Sequence, residues 1–310
     1  MLIASLPPVH QDGLLREIID HPIVDAVRYN TGMDSAYDPY ETLRRISDLA
    51  GPLNKPVHVD LKGRQLRVIE WANLPYGPII LNHRVKVQLP AKVFFRGDDT
   101  CVLKEVVDGN RIYVDPLPKF AVGRGQSINI VGAKVEVEGG LLPLDHAYVE
   151  AALRLGIRNF MLSFVESLDD VRELESAIAT KAASLGLDEN AAICLKIESL
   201  AGLEFIKRTN RIALKSYRLM AARDDLMIQI GVNRMTEALR ALIQKDSHAI
   251  CASRLLLGLE VGEVSMADIS DLDYMQLLGY RAFMLSDGIS RNHFSAAMSF
   301  LRNYSFLNKY

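Results

Sequence analysis

Several short stretches put charged side chains at the ends of apolar runs. "AICLKIES", residues 192–199, sets Lys196 and Glu198 two residues apart. On a strand such residues share a face, so the ammonium and the carboxylate stack on one side. "MAARDDL" ends an apolar run in Arg223, Asp224 and Asp225, and "ICAS" ends another in Ser253, followed by Arg254. "RYN" supplies Arg28 and Asn30, "VDLK" supplies Asp60 and Lys62, and "SFVE" supplies Ser163 and Glu166. Cationic side chains among carboxylates suit the stabilisation of developing negative charge and the capture of a hard cation. Glu198 and Asp225, one βα unit apart, form the pair that can chelate one divalent ion, Mg2+ or Mn2+. The bland alternative is a salt bridge that merely fills the interior, but two buried carboxylates without a metal would be expensive.

These groups need a frame that gathers strand ends. "LIASLPP", "VDAVRYN" and "PVHVDLKG" read as strands separated by the amphipathic runs "QDGLLREIIDH" and "YDPYETLRRISDLAG". From Arg64 to about Glu138 the rhythm changes to short period-two runs with turns at "GDD", "DGN" and "GRGQ", the pattern of an all-β module. The βα rhythm then returns: a helix over "SLDDVRELESAIATKAAS" opens on a serine cap, a sixth strand is read over "YRLMAARDDLMIQI", and a last helix starts from about Asn292. Eight βα units interrupted once predict an α/β (β/α)8 TIM barrel, residues 1–63 and 139–310. A small all-β lid domain, residues 64–138, is inserted after strand 3. A doubly wound sheet would carry a glycine-rich fingerprint after its first strand, and "SLPPVHQDG" is not one. In a barrel of this kind the C-terminal strand ends meet at one mouth, where Arg28, Asn30, Asp60, Lys62, Ser163, Glu166, Lys196, Glu198, Arg223, Asp224, Asp225, Ser253 and Arg254 are expected to face one opening.

Composition narrows the partners. The chain has 310 residues, 49% of them hydrophobic, and its 36 basic and 38 acidic residues give a formal net charge of -2. That balance gives no polyelectrolyte signal for nucleic acid or an anionic membrane, so an anionic ligand must be held by a local site. Cys101, Cys194 and Cys251 are too scattered for a disulfide framework or a CxxC metal site. The N-terminus lacks a basic region ahead of its apolar residues, and no apolar run is long enough to span a bilayer; a cytoplasmic location is expected.

The motifs together resemble the pyruvate kinase family over almost the whole length. "RYNTG" is similar to the family's RxNFS, "VDLKGRQLR" to LDTKGPEIR, "INIVG" to the VNLPG that closes the lid, and "SFVESLDDV" to SFVRKAxDV. "LKIES" is similar to SKIEN, "MAARDDL" to MVARGDL, "ICAS" to ICAT and "MLSDG" to MLSGE, in family order. The resemblance implies that Lys196 bears on the phosphoryl group in transit, that Arg28 clamps the same phosphate, and that Glu198 and Asp225 hold the divalent metal. It implies a place for Ser253 where the family has a threonine near the enolate carbon, for Asn30 and Asp60 at a monovalent cation site, and for Arg67 at the nucleotide phosphate. Ser163 and Asp224 are placed with the substrate-binding groups. Asp224 stands where the family has a glycine, Gly32 where it has a serine ligand of the monovalent cation, and Gln65 where potassium-dependent members have an acid. K+ is therefore an open requirement. The chain ends about where the barrel does, so the family's C-terminal domain is expected to be absent.

Three readings follow. The first is phosphoryl transfer between phosphoenolpyruvate and ADP, with ATP and pyruvate as the other pair. The second is a metal-dependent lyase, aldolase or hydrolase acting on a 2-oxo acid, in which Asp224 is an extra ligand or a base. The third is a silent binder of phosphoenolpyruvate or of a partner protein. Assembly into a homo-oligomer is left open.

Overall fold

The protein is described here by a computed structural model over residues 1–96 and 99–304. Its first strands, β1 (Leu2–Ser5), β2 (Ala26–Asn30) and β3 (Val57–Leu61), are joined by α1 (Asp12–Asp20) and α2 (Pro39–Ala50). Antiparallel strands follow: β4 (Ile79–Ile80), β5 (Arg84–Val87), β6 (Ala91–Arg96), β7 (Asp99–Val107), β8 (Arg111–Asp115), β9 (Asn129–Gly132) and β10 (Val135–Glu138). The βα rhythm resumes with α3 (Pro143–Arg154), β11 (Asn159–Leu162), α4 (Leu168–Leu185), β12 (Ala192–Ile197), α5 (Leu200–Arg208), α6 (Arg211–Leu214) and β13 (Arg218–Ala222). After these come α7 (Arg223–Ile230), α8 (Met235–Lys245), β14 (Ile250–Ala252), α9 (Met266–Leu278), β15 (Ala282–Met284), α10 (Asp287–Asn292) and α11 (Phe294–Asn303).

Parallel pairing closes β1, β2, β3 and β11 through β15 into one eight-stranded barrel, the expected TIM-barrel fold. β3 pairs directly with β11, so the antiparallel segment leaves and rejoins the barrel between two neighbouring strands. That segment forms a five-stranded sheet, β4-β8-β7-β6-β9, and a β5–β10 pair. It has a core of its own that includes Leu66, Val68, Val93, Leu103, Ile112 and Ile130. Gly97 and Asp98 of the expected "GDD" turn, and residues 305–310 of the expected barrel, lie outside the described residues. No helix among the described residues is long and apolar enough to cross a membrane.

The strand period explains where the chemistry lies. Outward residues such as Val27, Val59, Phe160, Leu195 and Leu219 pack in the main core that takes in the helices. Their neighbours point inward, where Ile3, Met161, Cys194, Met220 and Ile250 belong to an apolar layer inside the barrel, together with Ala26 and Ala282. One step of two residues further along, with the same parity, the interior turns polar at Ser5, Arg28, Ser163 and Lys196, all buried. Position on the strand, rather than hydrophobicity, sets the boundary between core and site.

Two element boundaries differ from expectation. The sixth barrel strand stops at Ala222 and the chain turns into α7, so Arg223, Asp224 and Asp225 occupy a helical first turn rather than a strand end. Carboxylates are favoured there by the helix dipole, and a short apolar run such as "LMIQI" does not by itself distinguish strand from helix. The final helical region begins at Asp287, earlier than Asn292, and is split at His293 into α10 and α11. The serine cap of α4 forms as expected: Ser167 accepts a hydrogen bond from the amide of Asp170.

Candidate active site

The mouth is organised around one fully buried carboxylate. Asp60, on β3, accepts from Arg28 Nε at 2.8 Å and also from Arg28 Nη2. Lys196 Nζ reaches Asp60 Oδ1 at 3.1 Å, and Lys62 Nζ lies 3.2 Å from Oδ2. Burial alone would raise the pKa of Asp60, but Arg28, Lys196 and Lys62 hold it well below the usual carboxylate range. Lys196 also donates to Ser163 Oγ at 2.7 Å and lies 3.2 Å from Glu198 Oε1. Burial opposes its charge, yet Asp60 and Glu198 together raise its pKa and keep it an ammonium. Lys62 is shifted the other way, by burial first and then by Lys196, Arg28 and Arg67.

Glu198 is buried, and its Oε2 accepts from the Phe164 amide at 2.7 Å. Burial raises its pKa, the nearby Asp225 and Asp60 raise it further, and Lys196 only partly offsets them. Asp225 accepts at Oδ1 from Asn129 Nδ2, 2.7 Å away; Asn129 arrives on β9 and is itself held by Gln229 at 3.0 Å. Glu198 and Asp225 line the same cavity of about 360 Å³. Among the described residues no three His, Cys, Asp or Glu side chains converge as a self-sufficient metal cage. Two carboxylates lining one cavity still fit magnesium or manganese, which commonly complete their coordination with substrate oxygens and water.

Arg28 spends its remaining nitrogen inside the protein. Its Nη1 donates to Ser5 Oγ at 3.1 Å and to Asp287 Oδ1 at 2.7 Å, while Asn30 Nδ2 donates to Asp287 Oδ2 at 2.9 Å. Asp287 was not singled out by sequence reasoning, although "MLSDG" places it just beyond the last barrel strand. Asn129 was also missed; its signal was the "INIVG" return to the barrel. Asn30 and Asp60 are register partners on β2 and β3, but their side-chain oxygens are engaged, Asn30 Oδ1 by the Gly32 amide at 3.1 Å and Asp60 by the three cations. Arg67 donates to Gln65 Oε1 at 3.0 Å and to the Gly32 carbonyl at 3.0 Å, and a Cβ on Gly32 would collide with its guanidinium. Gly32 thus makes room for an arginine where a larger residue would not.

Asp224 does border the cavity, at its rim, with Arg254 Nη1 3.3 Å from its Oδ1 and half of its side chain exposed. Ser253 borders it as well. Two residues expected at the mouth lie elsewhere. Glu166 turns into a separate cavity beside the antiparallel insert, where Ser199 Oγ donates to it at 2.5 Å. Arg223 is buried at the start of α7; it donates to Asp271 at 2.6 Å and grips the Ser253 carbonyl through Nε at 3.0 Å and Nη2 at 2.7 Å. The change from strand to helix at residue 223 carries it away from the interior face. Ser253 and Arg254 have left-handed φ values of 63° and 56°, an arrangement that costs non-glycine residues energy and whose cost the two-donor grip helps to offset. Arg223→Lys loses the fork, so a stability loss of about 1.5–3 kcal/mol is expected in urea unfolding. An unfolding curve superimposable on that of the unmodified protein would contradict this role.

Comparison with known proteins bears on the family and the fold. The family described as pyruvate kinase, barrel domain, matches residues 81–297. Pyruvate kinase of Thermoplasma acidophilum is 25% identical over 317 residues, covering 92% of this chain and 54% of that protein. The enzyme of Thermococcus litoralis is 24% identical, covering 92% of this chain and 64% of that protein. The chain therefore spans less than two thirds of the length of these relatives. Among solved structures, pyruvate kinase from Pyrobaculum aerophilum superposes with a TM-score of 0.72 at 18% identity, over 99% of this chain and 72% of that one. That from Cryptosporidium parvum does so with a TM-score of 0.73 at 20% identity, over 94% and 67%. At these identities the structural likeness establishes the fold alone.

Proposed function

The chain belongs to the pyruvate kinase family, and from that premise we propose that it is an enzyme that stabilises the enolate of a pyruvate-type 2-oxo acid in phosphoryl transfer between phosphoenolpyruvate and ADP. The observation that carries this reading is the buried Lys196 ammonium, held between Asp60, Ser163 and Glu198 at the floor of a cavity that Asp225 also lines. A divalent cation held by Glu198 and Asp225 would supply positive charge to the oxygens of the substrate. Lys196 supplies a second, fixed positive charge where charge develops in the transition state; preorganisation by Asp60 means that little reorganisation is needed at that moment. Ser163 and Asp60 orient the ammonium, and the Ser253 hydroxyl is offered at the cavity wall on a turn that Arg223 braces. Arg28 and Arg67 line the same cavity, where Arg28 would meet the phosphoryl group and Arg67 a nucleotide phosphate, with residues 64–138 acting as a lid.

A second reading, proton or carbon–carbon chemistry on the same enolate by a lyase or aldolase, is favoured by one observation: the half-exposed Asp224 carboxylate at the rim. Thermal unfolding with oxalate, a dianion of enolate shape, tests what the two readings share. Oxalate is expected to raise the melting temperature only when magnesium or manganese is present, and an additional shift from ADP favours phosphoryl transfer over the second reading. No response to oxalate with either metal would contradict both.

A further inference from the structure

The arginine best placed to meet a phosphoryl group has all three of its side-chain nitrogens bonded to protein before any ligand arrives. Arg28 gives Nε and Nη2 to Asp60, and Nη1 to Asp287 and Ser5. Asp60 is fully buried and is shared with two lysines, so its hold on Arg28 is part of the barrel floor. Asp287 differs. It sits at the first turn of α10, one third of its side chain is exposed, and both of its oxygens point at polar groups of β2, one on Arg28 and one on Asn30. Arg28, Asn30 and Asp287 all line the cavity that holds Lys196 and Glu198. A carboxylate bridging an arginine and an amide offers oxygen acceptors of the same kind as those of a bound phosphate.

We infer that Asp287 is a specificity-determining residue that competes with a phosphoryl group for Arg28 and so weakens the hold of the site on the phosphoryl end of a ligand. A phosphoryl dianion next to Arg28 must displace Asp287 or endure a like charge in a partly desolvated site. A planar 2-oxo acid reaching only the Glu198, Asp225 and Lys196 end of the cavity meets no such competitor. The inference rests on the enolate reading for its substrate class, but the competition itself concerns Arg28 and Asp287 alone.

The test is a titration of folded Asp287→Asn, which keeps a carbonyl oxygen for Arg28 but removes the charge, and of Asp287→Ser, which removes the acceptor pair. Inorganic phosphate and phosphoenolpyruvate are the phosphorylated probes, and oxalate with magnesium is the unphosphorylated one. Both variants are expected to bind the phosphorylated probes about tenfold more tightly, the effect of relieving one close like-charge contact, with oxalate affinity unchanged. Adding Arg28→Met to Asp287→Asn is expected to cancel the gain, a dependence that a merely structural role for Asp287 would not show. Unchanged phosphate affinity in whichever variant folds, or a gain that survives the loss of Arg28, would overturn the inference. Absence of oxalate binding in every form would refute the enolate reading while the phosphate result still decided the role of Asp287.

Discussion

Asp60→Asn is expected to be the most destabilising polar substitution at the mouth. The change is nearly isosteric, yet it leaves Arg28, Lys62 and Lys196 converging on a neutral amide at a position with no exposed surface. Removing one partner from a buried ionic cluster typically costs about 3–5 kcal/mol, against a whole stability of about 5–15 kcal/mol for a domain. Of the three cations, Lys196 keeps Glu198 and Arg28 keeps Asp287, so Lys62, whose pKa is already depressed, gives up its proton most readily. Urea unfolding should show a lower midpoint with an unchanged slope. The pH dependence follows from the sign of the shift. The native pKa of Asp60 lies below that of the unfolded chain, so its contribution is complete above the ordinary carboxylate range and is lost as pH falls through the native value. The gap between variant and parent should therefore close only in strong acid. A loss below about 1 kcal/mol would mean that the three cations find other partners.

Lys196→Met carries the largest expected effect on catalysis. Methionine fills much of the same volume but has no charge, so transition-state stabilisation is lost while the shape of the cavity floor is retained. By analogy with the removal of a preorganised electrostatic donor, kcat is expected to fall by about 10² or more, with a smaller change in substrate affinity. Steady-state kinetics on whichever of the two enolate reactions the protein runs separates the two parameters. A folded variant with normal turnover would remove Lys196 from the chemistry.

Much of this was legible in the chain. Alternating βα runs gave the barrel, and the parity of Lys196 and Glu198 placed both in its interior because a strand repeats every two residues whatever surrounds it. Short motifs such as "LKIES" pointed to the family. What the sequence hid were partners brought together by closure. Asp287 lies after the last barrel strand and meets Arg28 of the second only because β15 pairs with β1 and β1 with β2. Asn129 reaches Asp225 across the junction of the insert and the barrel. Arg223 was misplaced for a local reason: strand and helix are hard to separate in a short apolar run, and one change of element turned a mouth residue into a brace for Ser253.

The central claim is that Lys196, Glu198 and Asp225 form one enolate-stabilising site dependent on a divalent cation. Exchange of the methyl protons of pyruvate with deuterated water, followed by NMR with and without magnesium or manganese, reports enolate formation directly and needs no phosphoryl acceptor. Metal-dependent exchange is expected in the unmodified protein and should be lost in Glu198→Gln, which keeps the shape but not the charge of the ligand. Exchange that is absent with both metals, or that persists undiminished in folded Glu198→Gln, would contradict the claim.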